Sequence, residues 1–267
     1  MTAQTIKLSD SHLAHLRASG LTDDIIAERG YYSTTRKDEL AQLGFASTQR
    51  RVPGLLLPIW TPDGQQPFCV YRPDRPRTDS RGRPRKYEMP LGIGARLDCP
   101  PRCRPMLADP KVPLWVTEGV KKADALAQHG LCAIGLLGVW MFRGKNDQGG
   151  VTFLADWDYV ALGGRTVYIV FDSDVMTKPE VSSALQRLTE HLRRKGATVI
   201  PVYLPPMPDG GKQGADDYLL SHSVEELEKL ASAQPPQREP AQPAVELLDA
   251  PPPALTRPLQ LVNGRGY

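Results

Sequence analysis

Val167-Tyr-Ile-Val-Phe171-Asp172-Ser-Asp174 runs five apolar residues straight into two carboxylates separated by one serine. An apolar run that short, ending abruptly in charge, reads as a strand buried on both faces with acids at its carboxyl edge. In an extended segment, side chains two apart point the same way, so Asp172 and Asp174 can hold one divalent cation or two neighbouring ones. A second run of the same form, Pro113-Leu-Trp-Val-Thr-Glu118-Gly119, ends in a single glutamate. Each run is followed by a helical pattern, as parallel strands joined by crossover helices require. Open parallel sheets gather ligands at the carboxyl ends of neighbouring strands, so three carboxylates are expected to converge there.

Working outward, Val120 to Gln128 reads as a helix stopped by Gly130, and Leu131 to Leu137 as a strand leading into Gly138-Val-Trp-Met-Phe-Arg-Gly-Lys145. Beyond the acidic strand, Pro179 opens a helix with Val181, Ala184, Leu185, Leu188 and Leu192 on one face and Gly196 as its stop. Thr198 to Leu204 is a further buried strand, and Gly214-Ala-Asp216-Asp217-Tyr-Leu-Leu begins another helix, which Val224 to Leu230 extends or follows. Upstream, Ser9 to Gly44 reads as three short helices, with Gly20, Gly30 and Gly44 where C-caps belong. None has a basic face, which favours a small packed lid over a helix-turn-helix reader of DNA. Leu55 to Trp60 and Phe68 to Arg72 form a hairpin around Thr61-Pro-Asp-Gly64.

Between Arg72 and Lys86 lie seven basic residues, Arg72, Arg75, Arg77, Arg81, Arg83, Arg85 and Lys86, against the two acids Asp74 and Asp79. With Tyr87 following, the segment is either a solvated loop or a contact for nucleic-acid phosphates. Net charge is only +3, and 40% hydrophobic with 24% charged residues is ordinary for a soluble globular chain. No apolar run is long enough to span a bilayer, and no secretory leader opens the chain. Four unpatterned cysteines then favour a cytoplasmic protein. Cys99 and Cys103 have three residues between them, with no histidine nearby, which weighs against structural zinc. Eight prolines between Pro235 and Tyr267 predict a disordered tail whose islands, Val245-Glu-Leu-Leu-Asp and Pro258-Leu-Gln-Leu-Val, are possible docking peptides.

Two or three carboxylates at an open sheet edge suit Mg²⁺ or Mn²⁺, which keep several waters and bridge phosphate oxygens. Glu118 could complete that shell or take the proton from an attacking hydroxyl, and the residues alone leave both open. Lys121 and Lys122, in the first turn after Glu118, stand where the helix dipole also favours an anion; Arg143, Lys145 and Lys212 are further phosphate candidates. A lone acid after a strand is commonly a cap, and Asp174 could be one. Capping does not explain Glu118, the 172/174 pair and the acidic pair at 216 and 217 together.

Thr117-Glu118-Gly119, Phe171-Asp172-Ser173-Asp174 and Gly214-Ala-Asp216-Asp217-Tyr-Leu, in that order, resemble the Toprim domain of DnaG-type primases, topoisomerases and some nucleases. The likeness extends to Toprim-like domains of phage, plasmid and integrative-element replication proteins, often joined to a helicase. It covers about Pro113 to Leu220; Arg85-Lys86-Tyr87-Glu-Met-Pro90 resembles the basic subdomain ahead of Toprim in primases. The resemblance implies an α/β fold, a Toprim (Rossmann-like) parallel sheet with helices on both faces, preceded by a small α+β basic subdomain. It also implies Glu118 as acid-base residue, Asp172 and Asp174 as Mg²⁺ or Mn²⁺ ligands, and Asp216 as an additional acid. The domains expected are a helical module over 1–48, a hairpin with basic loop over 49–112, a catalytic domain over 113–232 and the tail from 233. The function expected is primase-like nucleotidyl transfer, or its nucleic-acid-binding core, in DNA replication of a mobile element, with single-stranded DNA, nucleotides and a separately encoded helicase as partners and no membrane. A metal-dependent nuclease and a non-catalytic adaptor for DNA or helicase remain as alternatives. Neither a primase-type zinc domain nor a Gly-x-x-x-x-Gly-Lys-Ser/Thr loop is present.

Overall fold

In the computed structural model, which describes residues 8–80, 82–146, 148–232 and 234, the first elements are helices α1 (Asp10–Ala18) and α2 (Asp23–Arg29), strand β1 (Tyr32–Thr34) and helix α3 (Lys37–Gln42). Apart from residue 234, the expected tail lies outside the described residues, as does Arg81 of the basic segment. Ser9 caps α1 by accepting from the His12 amide, and Gly30 ends α2 at φ 81°, which an L side chain rarely adopts. The short strand between α2 and α3 was not expected. It pairs antiparallel with β2 (Gly54–Ile59), which pairs in turn with β3 (Phe68–Pro73), so the expected hairpin is a three-stranded sheet.

The second sheet is built from β4 (Leu97–Asp98), β5 (Leu114–Glu118), β6 (Cys132–Leu136), β9 (Thr166–Phe171) and β10 (Thr198–Tyr203), in the spatial order 10-9-5-6-4. Its four longer strands are parallel and β4 is an antiparallel edge. Helix α4 (Val120–Gln128) carries the chain from β5 to β6, and α5 (Pro179–Arg194) from β9 to β10. The two crossovers leave the central β5–β9 pair in opposite directions. With the right-handed connections parallel strands take, α4 and α5 therefore cover opposite faces. This is a mixed α/β architecture with a mostly parallel central sheet flanked by helices.

β5 is fully buried until it reaches Glu118, and β9 buries every residue from Ile169 to Phe171. Trp115 stacks on its register partner Tyr168 with ring centroids 4.5 Å apart, which locks the central pair in alignment. Between β6 and β9 the chain forms the small hairpin β7 (Arg143–Lys145) and β8 (Val151–Phe153) and a 3₁₀ helix, Ala155–Tyr159. Helices α6 (Ala215–Leu219) and α7 (Val224–Lys229) follow β10, α6 packing against α4. Ser223 caps α7, which makes it a separate helix and not an extension of α6.

An ion cluster ties the N-terminal helices to this sheet. Arg29, at the end of α2, is fully buried and pairs with Asp98 of β4 and Asp124 of α4. Tyr31 donates its hydroxyl to Asp124 Oδ2 at 2.6 Å. All four cysteines are free and buried, and burial pushes the Cys103 thiol up to about 12. Thiols so protonated are packing groups and not nucleophiles. Among the described residues no helix is long and apolar enough to cross a membrane.

Candidate functional site

β5 and β9 are neighbours whose crossovers depart in opposite directions, and the crevice beyond their carboxyl ends is the topological switch point where open α/β sheets bind ligands. Glu118 ends β5, and Asp172 follows β9 directly. Gly119, at φ 100°, then turns the chain into α4, so its residue type is required by the backbone. A cleft of about 690 Å³ opens here, lined by Glu118, Asp172, Asp216 and Asp217 together with His15, Arg72, Lys86, Lys121, Lys122 and Lys212. Its apolar lining includes Leu57, Val70 and Leu136.

The 172/174 pair differs from its expected geometry. Asp172 is extended at φ −63°, ψ 155°, but Ser173–Met176 is a 3₁₀ helix, so Asp174 lies in a helical turn and the two carboxylates do not share a strand face. The strand ends there because Ser173 leaves the ladder: its amide donates to the Gln213 carbonyl at 2.9 Å, and its hydroxyl accepts from the Gln213 amide at 3.0 Å. This clamp carries the 213–217 segment onto the acidic edge, which is why Asp216 reaches the cleft. Asp174 makes no side-chain cap; its Oδ2 receives Lys178 Nζ at 2.7 Å.

Lysines neutralise the edge. Lys122 Nζ lies 2.6 Å from Asp172 Oδ1 and 2.7 Å from Oδ2, straddling the carboxylate. Lys212 Nζ lies 2.6 Å from Asp172 Oδ2 and 3.5 Å from Asp174 Oδ2. Burial raises the Glu118 carboxyl above the usual range, with Asp172 and Asp174 adding to the rise and Lys122 and Lys212 opposing it. A carboxyl tuned upward at a cleft is suited to proton transfer. Asp216 is likewise raised by burial, and its Oδ1 has no hydrogen-bond partner among the described residues. No group of three or more His, Cys, Asp or Glu side chains is placed to hold a metal ion among the described residues.

The cationic part of the lining is met by residues at α1. Lys121 Nζ donates to Ser19 Oγ at 2.6 Å and lies 3.4 Å from His15 Nε2. Burial lowers Lys121, and burial with the charges of Lys121 and Arg72 holds His15 down at about 4. His15 and Ser19 were not singled out as site residues because their partners are about a hundred positions away; no local pattern marks them. Arg72, Lys86, Lys121 and Lys122 are thus brought together, whereas Arg75, Arg83 and Arg85 are exposed and do not line the cleft. Arg77 is spent on Glu88, pairing through Nη2 at 2.9 Å. Arg143 lies 4.1 Å over the Trp140 ring, and Lys145 lines a second cavity of about 550 Å³ with His191 and Phe153; neither reaches the carboxylate edge.

Gly214 packs the acidic side so tightly that a Cβ there would stand 2.4 Å from Lys122 Cε, 2.7 Å from Asp216 Oδ1 and 3.2 Å from Asp172 Oδ1. Gly214→Ala is therefore expected to push Lys122 off Asp172 and to cost about 1–3 kcal/mol in a denaturant titration, the usual range for overpacking. A cost under about 0.5 kcal/mol, the scale of a neutral surface change, would show that the cradle yields.

Residues 104–226 match the model of a family described as a domain of unknown function, DUF3854. Over 131 residues the chain is 33% identical to an uncharacterized protein of Picosynechococcus sp. (strain ATCC 27264 / PCC 7002 / PR-6), covering 46% of this chain and 13% of that one. The chain thus spans a small part of that curated relative. Among solved structures, it is similar to the zinc-binding and RNA polymerase domains of Aquifex aeolicus primase, with TM-score 0.57 at 14% identity over 84% of this chain and 56% of that one. It is also similar to a DnaG primase catalytic domain bound to single-stranded DNA, with TM-score 0.55 at 18% identity over 85% and 72%. The architecture matches that of primase catalytic cores; at these identities the likeness is one of fold.

Proposed function

We propose that this chain is a Toprim-type catalytic core that transfers nucleotidyl groups on single-stranded DNA, in the replication of a mobile element such as a phage or plasmid. One observation carries the reading: carboxylates and cations that no described ion pair neutralises line one cleft at the β5–β9 switch point. The likeness in fold to primase cores, one of them bound to single-stranded DNA, supports it. The motif resemblance supports the mobile-element setting and a separately encoded helicase as partner.

In this reading Arg72, Lys86 and Lys121 take phosphates of template and nucleotide, since none of the three pairs with a carboxylate among the described ion pairs. Glu118, its carboxyl raised, accepts the proton of the attacking hydroxyl as that oxygen bonds to phosphorus and pyrophosphate leaves. The donor set fits Mg²⁺ or Mn²⁺: the side chains are all carboxylates, Asp216 Oδ1 is buried without a partner, and such ions need only one or two protein oxygens beside water and phosphate. Asp172 and Asp174 would hold the cation, which would supply charge neutralisation at phosphorus. Hydrolysis of a phosphodiester would use the same groups with water as nucleophile.

Titrating a single-stranded oligonucleotide across a salt series tests the cleft. Affinity is expected to fall steeply with salt, and Arg72→Gln with Lys86→Gln to flatten the slope of log K against log salt by about 0.7 per lost contact. An unchanged slope would remove these two residues from the DNA path.

A further inference from the structure

The group that bridges the two aspartates at the sheet edge is an ammonium of the chain itself. Among the described ion pairs, Lys212 is the side chain that reaches both, 2.6 Å from Asp172 and 3.5 Å from Asp174. Its companion on Asp172 differs in kind. Lys122 projects from the first turn of α4, has a side chain only 20% exposed, and is wedged against Gly214. Lys212 is 48% exposed and sits in the loop between β10 and α6, two residues after Gly210, which holds φ 80°. One counter-ion is built into a helix; the other is on a tether that solvent reaches.

An oxygen-bound divalent cation shared by Asp172 and Asp174 would need the place that Lys212 Nζ holds, and two positive groups cannot occupy it together. On this geometry, and resting on the reading above that these carboxylates take a divalent cation, we infer that Lys212 is a built-in competitor for that cation. It neutralises the aspartates in the resting chain and must be displaced before Mg²⁺ or Mn²⁺ enters. Lys122 remains on Asp172 throughout, so the carboxylate is never left without a counter-charge in an interior where it is 1% exposed. The opposing possibility is that Lys212 holds its loop in place. In that case its loss would loosen the Gln213–Ser173 clamp, and cation affinity would fall.

The two differ in the sign of one measurement. Mn²⁺ alone is titrated into the full chain, with the free ion followed by electron paramagnetic resonance. Wild type, Lys212→Gln, and Lys212→Gln combined with Asp172→Asn are compared. The competitor role predicts that Lys212→Gln binds Mn²⁺ about fivefold more tightly than wild type, the size of a half-exposed ion pair. It also predicts that Mn²⁺ raises the melting temperature of Lys212→Gln more than that of wild type, and that adding Asp172→Asn abolishes both effects. Equal or weaker binding by Lys212→Gln overturns the competitor role while leaving the metal reading intact. Tighter binding that survives Asp172→Asn overturns it as well, since the ion then sits elsewhere. Binding by none of the three chains overturns the competitor role and the metal reading together.

Discussion

Asp172→Asn is expected to lower phosphoryl transfer by roughly 10²–10³-fold, the cost of removing one preorganised charge contact to a transition state. Asp172 holds the centre of the edge: it is 1% exposed, paired with Lys122 and Lys212, and beside Glu118, whose carboxyl responds to its charge. The amide keeps the shape and withdraws the charge, so both lysines lose their anchor and any cation loses a ligand. The variant should still fold, because the side chain is isosteric and Lys122 and Lys212 retain partial exposure; circular dichroism checks this. Initial rates of wild type and variant at equal DNA occupancy measure the effect. A loss under about tenfold would move the chemistry away from β9, since a tenfold change in rate is only about 1.4 kcal/mol.

Arg29→Met is expected to be the most damaging single change to stability. It leaves Asp98 and Asp124 buried with no counter-charge, and breaking a buried pair from one side costs about 3–5 kcal/mol. Against a typical total of about 5–15 kcal/mol, that loss is a large share. The midpoint of a denaturant titration reads it. Combining Arg29→Met with Asp98→Asn and Asp124→Asn should recover part of the loss, because neutral amides can still accept from Tyr31 and the Trp60 amide. If the triple variant is no more stable than Arg29→Met, packing and not charge accounts for the cost.

The parts of the fold legible in the sequence were those with a local signature. The runs ending at Glu118 and Asp172, the amphipathic face of α5 and the β2–β3 hairpin each carry their own periodicity or turn residues, and each forms with bounds within a residue or two of expectation. β1 was missed because three residues are too few to show a period, and β4 because only pairing with β6 makes Leu97–Asp98 a strand. The acids of the site were legible as carboxylates closing apolar runs. The direction of Asp174 was not, since the Gln213 clamp that turns Ser173 out of the strand lies 40 residues away. The same holds for His15 and Ser19 at the cleft and for the Arg29 cluster: each joins residues 69 to 106 positions apart that no local pattern relates. The basic segment was legible as charge but not as geometry, and among its described residues only Arg72 and Lys86 line the cleft.

Nucleotidyl transfer at the carboxylate edge is tested most directly by one incubation. The full chain is mixed with single-stranded DNA, labelled nucleotides and Mg²⁺ or Mn²⁺, beside the Asp172→Asn variant, and both extended and shortened strands are scored. Extended product from wild type that is lost in the variant is the expected result. Shortened strands lost in the variant would contradict transfer and assign hydrolysis to the same edge. Product that is unchanged in the variant, or absent from both chains, would contradict chemistry at this edge altogether.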